Sequence, residues 1–486
     1  MEPQVFDLLL YLLENRERVI SKDEMIEHVW EGRIVSDAAI TSTINLARRA
    51  VEDDGKTQAV IKTFPKKGFR FVAEINGDNG AVTPAPVPVS NDERPSIAVL
   101  PFENMSGDPE QEYFSDGMAE DLITDLSNMS DLYVAARHSS FSFKGQMPYV
   151  QEVAEKLGVK FVLEGSVRKM GDRLRVNAQL IDAADGGHLW AKRYDGDMDE
   201  IFEFQDRIRA EIVSALELKL TPTDQALTQR KSTDSVEAYD LFLKGRASYY
   251  LYTPEKLLEA RECLEQAIEI DSNFADAYGW LSYCYFQGWA TMWLGFDDNL
   301  DRAIELAEKG VALDGTSAIA LTRLGWIQNF LRRYDQSIAN LEKAILLAPN
   351  NADVIATFGQ VLNYWGDPQR GLQMMEKAFS IDTIVPANWE FQRGLSHLLL
   401  HQYDEAIDRF NRAVEPPTTF FHAYLFLAWT YVELDRLDDA NSAIGTLLEI
   451  IPHYTVPQAA GLYVFRADEV HARLLECLRK AGLPEG

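Results

Sequence analysis

Residues 321–349, LTRLGWIQNFLRRYDQSIANLEKAILLAP, govern how the carboxyl-terminal half of the chain is read. Apolar residues recur at helical spacing on either side of a polar break at Arg332 and Arg333, and Pro349 closes the second run, so the stretch reads as two antiparallel helices. Small residues, Gly325 on the first helix and Ser337 on the second, stand 12 positions apart where the helices would touch. The same separation returns at Gly359 and Gly371, Gly394 and Ala406, and Ala428 and Ala440. Along the second helices, Ser337, Gly371, Ala406 and Ala440 follow one another at 34, 35 and 34 residues. A helix pair of this size buries its apolar face only against its neighbours, so the period predicts a stack.

Two looser copies centred on Ala260 and Ala303 precede these, with insertions between their helices, and Arg466 to Ala481 reads as a capping helix. Six repeats thus occupy residues 236–486. Their pattern resembles the tetratricopeptide repeat, which implies a right-handed all-α solenoid with one concave groove for a protein or peptide partner. Residues 235–486 carry 35 acidic against 20 basic side chains, which favours a basic ligand. Tyr283, Trp289, Trp293, Trp326, Tyr364, Trp365 and Trp429 are candidate anchors, although most aromatics in repeats are core.

Working toward the amino terminus, TPTDQALTQRKSTDS (221–235) reads as a linker. Before it, residues 95–220 alternate strand and helix signals. IAVLPF (97–102) is a short apolar run ending at Pro, followed by a helical pattern over 116–129, a strand in DLYVAAR and a helix in VQEVAEKLG. Three strands follow, separated by Gly-Asp and Asp-Gly-Gly turns. The expected order is βαβαβββα, an α/β or α+β domain. SSFSFKG (139–145) has no phosphate-loop glycines and reads as a surface loop. From SIAVLPFENMSGDPEQEYFSDGMAEDL to DGGHLWAKRYD this segment resembles the TolB-like domain, a group without a chemistry to carry over. Asp116, Glu120, Glu164, Arg168, Trp190 and Arg193 are expected to be structural or interfacial.

Residues 76–94, NGDNGAVTPAPVPVSNDER, lack periodicity and alternate prolines, so they read as a semi-extended tether. Ahead of it, PQVFDLLLYLLENRERV and SKDEMIEHVW read as helices, with Ser21 as N-cap and Glu24 completing a capping box. In SDAAITSTINLARRAV, Ile40, Ile44, Ala47 and Val51 share one face, leaving Thr41, Ser42, Asn45, Arg48 and Arg49 on others. VIKTFPKKGFRFVAEI then gives two strands around a Lys-Lys-Gly turn. Three helices and a basic hairpin are the parts of a winged helix. The three blocks, in this order, resemble the OmpR/PhoB-type DNA-binding domain, particularly its receiverless CadC-like members. That resemblance implies binding of double-stranded DNA by residues 1–75. It places Thr41, Ser42, Asn45 and Arg48 on the recognition helix and Lys66, Lys67 and Arg70 on or beside the wing. The small antiparallel sheet that usually opens such domains has no counterpart ahead of the first helix.

The whole chain of 486 residues exceeds one core of roughly 250–300 residues, which agrees with three units. Its net charge of -29 would repel nucleic acid if evenly spread, yet residues 1–75 hold 11 basic against 13 acidic side chains. Three cysteines without a CxxC pair disfavour a zinc site or a disulfide framework and suit a reducing cytoplasm. No apolar run approaches the length of a membrane span; the longest, near 288–296 and 424–432, lie inside repeats. No P-loop, GxSxG, HExxH or kinase motif set is present, so neither catalysis nor a cofactor is expected. His397 and His401 lie four apart on an expected helix, without a third metal-ligand partner. The expected function is transcription regulation, with a possible homodimer. The alternative is an interaction scaffold in a cyclase- or kinase-type signalling system that does not bind DNA.

Overall fold

The computed structural model of the protein describes residues 8, 11–12, 16, 18–29, 43–44, 47–48, 53, 60–64, 67–73, 94–146, 148–228, 230–291, 293, 299–415 and 420–486. The chain forms two compact units, Met1–Ala85 and Pro86–Gly486.

In the first unit, α1 (Lys22–Val29) starts at the expected capping box. The Ser21 amide and hydroxyl donate to Glu24 Oε2 at 2.9 and 2.8 Å, and the Glu24 amide returns a bond to Ser21 Oγ at 3.2 Å. Strands β1 (Ile61–Phe64) and β2 (Gly68–Phe71) form an antiparallel hairpin in which Phe64 pairs with Gly68. Leu8, Leu12, Ile20, Met25, Ile44, Ala47 and Ile61 are buried together, so side chains from the three expected helices and the hairpin share one core. Gly68 has φ +136°, and a Cβ there would meet Ile20 O at 1.8 Å. Only glycine fits where Ile20 and Phe69 exchange backbone hydrogen bonds of 2.8 and 2.9 Å.

The second unit begins with a mixed sheet. Its strands are β3 (Ser96–Val99), β4 (Glu103–Asn104), β5 (Tyr133–Val134), β6 (Phe161–Met170), β7 (Arg173–Asp182) and β8 (His188–Asp197). The order is β5-β3-β6-β7-β8, with β4 beside β6; β3 runs parallel to β5 and β6, and β6, β7 and β8 form an antiparallel meander. Helices α2 (Glu112–Ser127), α3 (Arg137–Phe141), α4 (Val150–Leu157) and α5 (Ile201–Ala215) complete the layer. The parallel part is covered on both sides, so all four residues of β3 are buried. In β7 Leu174, Val176, Ala178 and Leu180 are buried on one face, while Arg173, Arg175 and Asn177 face solvent.

The middle domain differs from the expected order at several points. A short β4 and the helix α3 are additional, and β5 stops at Val134. The chain leaves the sheet there because the Ala136 amide donates to Ile381 O, 3.3 Å away among the repeats. SSFSFKG is not a surface loop: Ser139 and Ser140 are buried, and the Ser139 amide and hydroxyl donate to Asp382 at 3.0 and 2.5 Å.

The segment expected as a second linker is also packed. Helix α6 (Pro222–Thr228) is capped by Thr221 and Asp224, and Arg230 is held by Asp276 at 2.7 Å and Asp314 at 2.5 Å. Two carboxylates around a half-buried guanidinium convert a polar run into an anchor.

Six helix pairs follow among the described residues: α7 (Val236–Tyr250) with α8 (Pro254–Ile270), α9 (Ala275–Thr291) with α10 (Asn299–Leu313), α11 (Ala318–Phe330) with α12 (Tyr334–Leu347), α13 (Ala352–Trp365) with α14 (Pro368–Ile381), α15 (Ala387–Leu399) with α16 (Tyr403–Ala413), and α17 (His422–Glu433) with α18 (Leu437–Ile450). Helices α19 (Val456–Leu462) and α20 (Asp468–Lys480) end the stack. Gly325 lies against Leu341 and Ser337, and Gly394 against Phe410, so the small positions are where partner helices close. No helix among the described residues is long and apolar enough to cross a membrane. Cys263, Cys284 and Cys477 are unpaired and buried.

Candidate nucleic-acid interface

The hairpin of the first unit carries three of its described cations. Lys62 on β1 is exposed, Lys67 in the turn is exposed, and Arg70 on β2 is half-buried. Lys67 donates its amide to Phe64 O at 2.9 Å, which closes the turn. Lys62 and Arg70 are cross-strand partners, with the Lys62 Nζ 5.9 Å and the Arg70 guanidinium 5.3 Å from the centre of the Phe64 ring. Arg70 Nε is buried without a hydrogen-bond partner among the described residues. Sequence reasoning missed Lys62. The signal was available, because alternation along β1 turns Lys62 outward once Ile61 faces the core.

Arg48 has a different place from the one expected. It is 6% exposed, its Nη2 donates to Ile61 O and Thr63 Oγ1 at 2.8 Å each, and its Nε donates to Ile61 O at 3.2 Å. Asp53 lies 3.9 Å from Arg48 Nε and accepts the Ile61 amide at 2.8 Å. The guanidinium thus ties its helix to the first strand and is spent inside the fold. Thr41, Ser42, Asn45, Arg49 and Lys66 lie outside the described residues. Beside α1, Glu24 is held down to about 2 by the Ser21 amide, Arg18 and the Ser21 hydroxyl, so the cap stays ionised.

In the second unit, the face built from the first helices of successive pairs is occupied by the chain itself. At the amino-terminal end the middle domain sits on it through two carboxylates, buried Glu120 and half-buried Asp121. Glu120 accepts Arg137 Nε and the Tyr250 hydroxyl at 2.8 Å each; Asp121 accepts Arg246 Nη1 at 2.7 Å and also the Tyr239 hydroxyl. Burial opposes the charge of Glu120, but Arg137 and Arg246 outweigh it and leave its pKa below the usual value. Asn350 donates to Met129 O and Leu132 O at 2.7 and 3.0 Å.

At the carboxyl-terminal end, residues 463–467 cross the same face. The Tyr463 ring lies 4.8 Å from Phe426, and Phe465 lies 5.2 Å from Tyr364 and 6.2 Å from Trp429. The Arg466 amide donates to Tyr364 O at 2.9 Å, its guanidinium covers Trp365 at 4.9 Å, and its Nη2 lies 3.4 Å from Asp335. Two of the expected peptide anchors, Tyr364 and Trp429, are therefore buried, and the open groove is not present there.

Three further candidates of the middle domain have partners within it. Asp116 pairs with Lys144, Glu164 accepts Gln179 at 2.9 Å, and Arg193 pairs with Asp195 at 2.8 Å. His397 and His401 do not share a helical face: α15 ends at Leu399 and His401 has φ +59°. No group of three or more His, Cys, Asp or Glu suited to a metal occurs among the described residues.

Comparison with known proteins assigns each part separately. Residues 1–71 match the family described as "Transcriptional regulatory protein, C terminal", so the amino-terminal region is of the OmpR/PhoB type. Residues 93–211 match "HilA/YgeH-like transcriptional regulator, second domain", a more specific description than the TolB-like resemblance, and residues 318–351 match the tetratricopeptide repeat. The chain is 25% identical over 414 residues to the transcriptional regulator HilA of Salmonella typhi, covering 84% of this chain and 70% of that one. It is 31% identical over 121 residues to the transcriptional activator CadC of Escherichia coli (strain K12), 23% of each chain. It is 44% identical over 245 residues to a protein of Rhizobium meliloti (strain 1021) named "Putative adenylate cyclase 3". That match spans half of this chain and only 42% of the relative's length.

Proposed function

We propose that this protein is a DNA-binding transcription regulator whose amino-terminal unit docks on duplex DNA while the middle domain and repeats act as one receiving body. The observation that carries the reading is the cationic hairpin, with Lys62, Lys67 and Arg70 on a unit that matches a transcription-regulator family. Thr41, Ser42, Asn45, Arg49 and Lys66 belong to the proposed contact set by resemblance, whereas Arg48 supports the helix that would carry them. The assigned stretches, 1–75 for binding DNA, 76–94 as tether, 95–220 as middle domain and 236–486 as repeats, are the working units of this proposal.

The acidic repeat body repels DNA, so contact falls to the nearly neutral head. A protein or peptide partner acts on the repeat body and alters dimerisation or polymerase contact, and the chain works without catalytic chemistry or cofactor of its own. The test is a titration of the full chain with genomic duplex fragments at several salt concentrations. Binding whose logarithm falls linearly with log salt, by about 0.9 per phosphate contact, supports the reading. No binding at low salt by folded protein removes it. The 44% match to the cyclase relative favours a second reading, an interaction scaffold for cyclase-type signalling, and the same titration separates the two.

A further inference from the structure

We propose that the cleft between the middle domain and the first repeats is a binding site for a small aliphatic carboxylate. The cleft encloses about 80 Å³. One wall comes from α2, β5 and α3, including Ile123, Val134 and Arg137, and the other from α7, α9 and α11, including Arg246, Trp280 and Arg323.

Two of the three carboxylates lining it, Glu120 and Asp382, are consumed, and the third, Asp353, turns partly to solvent. Glu120 is held by Arg137, Arg246 and Tyr250, and Asp382 by Ser139 and His138. Two donors are not. Arg323, 8% exposed, leaves Nε without a hydrogen-bond partner among the described residues, and its Nη2 reaches no nearer than 3.8 Å to Asp353, which is itself about half exposed. Trp280, 4% exposed, leaves Nε1 unpartnered as well. The Arg323 guanidinium lies 5.0 Å from the centre of the Trp280 ring and 4.0 Å from that of Tyr283, so the two side chains that carry the open donors are in contact.

A buried donor without an acceptor is costly, and a buried guanidinium without a good partner more so. Both open valences are donors, so the complement is an acceptor. Beside Arg323, whose charge has no close counter-ion, an anion is favoured over a cation. The volume admits a handful of heavy atoms, which rules out nucleotides and peptides. A planar carboxylate meets the edge of a guanidinium in two parallel hydrogen bonds, and the apolar patch of Ile123, Val134 and Ile319 suits a short hydrocarbon body better than phosphate. Because both walls contribute, an occupied cleft joins the middle domain more tightly to the repeats. This inference does not depend on DNA binding.

The experiment uses full-length protein with ¹⁵N-labelled indoles, the Trp280 resonance assigned with Trp280→Phe, and sodium propionate as the probe. Propionamide and sodium phosphate at matched ionic strength are the controls. Propionate should shift the Trp280 indole resonance saturably while both controls leave it unmoved, and Arg323→Gln should weaken that binding by roughly ten- to hundredfold. Absence of a saturable shift, an equal response to propionamide or phosphate, or undiminished binding by folded Arg323→Gln would each overturn the assignment. Should the variant not fold, the propionate-against-propionamide comparison on the unmodified chain decides alone.

Discussion

Lys62 and Arg70 stand directly opposite each other across the amino-terminal hairpin, and both lie against the ring of Phe64. Like charges in that register repel, and the arrangement becomes favourable when an anion lies between or beside them. Replacing Lys62 with Thr should therefore move stability and binding in opposite directions. The head should gain about 0.2–1 kcal/mol from relief of the repulsion, while the salt slope of DNA binding flattens by about 0.9. Thermal unfolding and a salt-dependent titration on the same preparation check both signs. Unchanged DNA affinity would make the pair an accident of the surface.

Arg48 makes the contrary case, a basic residue whose work is internal. Arg48→Met removes hydrogen bonds to Ile61 O and Thr63 and leaves the buried Asp53 carboxylate beside an apolar side chain. A loss of about 1.5–3 kcal/mol is expected for charge-assisted bonds of this kind. DNA binding should then fall only in proportion to unfolding of the head, and its salt slope should stay that of the parent. A slope reduced by about one unit in a fully folded Arg48→Met head would return Arg48 to the phosphate contacts.

The contrast shows what the sequence could convey. Period 12 within and 34–35 between small residues is a packing signal, and Gly325 against Leu341 or Gly394 against Phe410 is its physical content. The hairpin was legible from strand alternation around Lys-Lys-Gly. Arg48 was not, because helical periodicity says which residues leave one face and nothing about a strand arriving on another. Nor could spacing reveal that Ser139 meets Asp382, 243 residues away, or that Phe465 reaches back to Tyr364. Those contacts depend on the curvature of the stack, which accumulates from small rotations per repeat.

Two histidines, buried His422 and half-buried His138, should bend the pH profile of the second unit in opposite senses. The Tyr463 hydroxyl is hydrogen-bonded to His422 Nδ1, and burial holds the His422 pKa down to about 3. The unfolded chain takes this proton near about 6.5, so between those values the unfolded state binds more protons and stability falls as pH drops. For His138, burial lowers the pKa, but the hydrogen bond and charge of Asp382 outweigh it and the net shift is upward. Its contribution is complete below the unfolded value and is lost as pH rises through the folded one. Unfolding temperatures of the full chain across pH should thus lose part of their acid slope in His422→Phe and part of their alkaline slope in His138→Gln. Parallel profiles for both variants and the parent would show that neither proton is linked to folding.

The strap at 463–467 behaves in this structure as a ligand the chain supplies to itself. Phe465 fills the space against Tyr364 and Trp429, and Arg466 covers Trp365 and faces Asp335, an aromatic and a cation on an acidic repeat surface. A partner peptide for this face must displace the strap, and the effective concentration of a tethered segment makes that hard. A free peptide YVFRA should therefore show no measurable binding to the parent chain. In Phe465→Ala combined with Arg466→Ala, the intramolecular competitor loses its large ring and its charge, about 3–5 kcal/mol for truncating a buried aromatic alone. The same peptide should then bind, more weakly as salt rises, because part of the attraction is the exposed pair with Asp335. Limited proteolysis should at the same time cut within 455–467 faster in the variant than in the parent. Equal peptide binding by both chains would mean the strap does not guard the face. Faster proteolysis without peptide binding would mean it is a structural clasp and the partner surface lies elsewhere on the repeats.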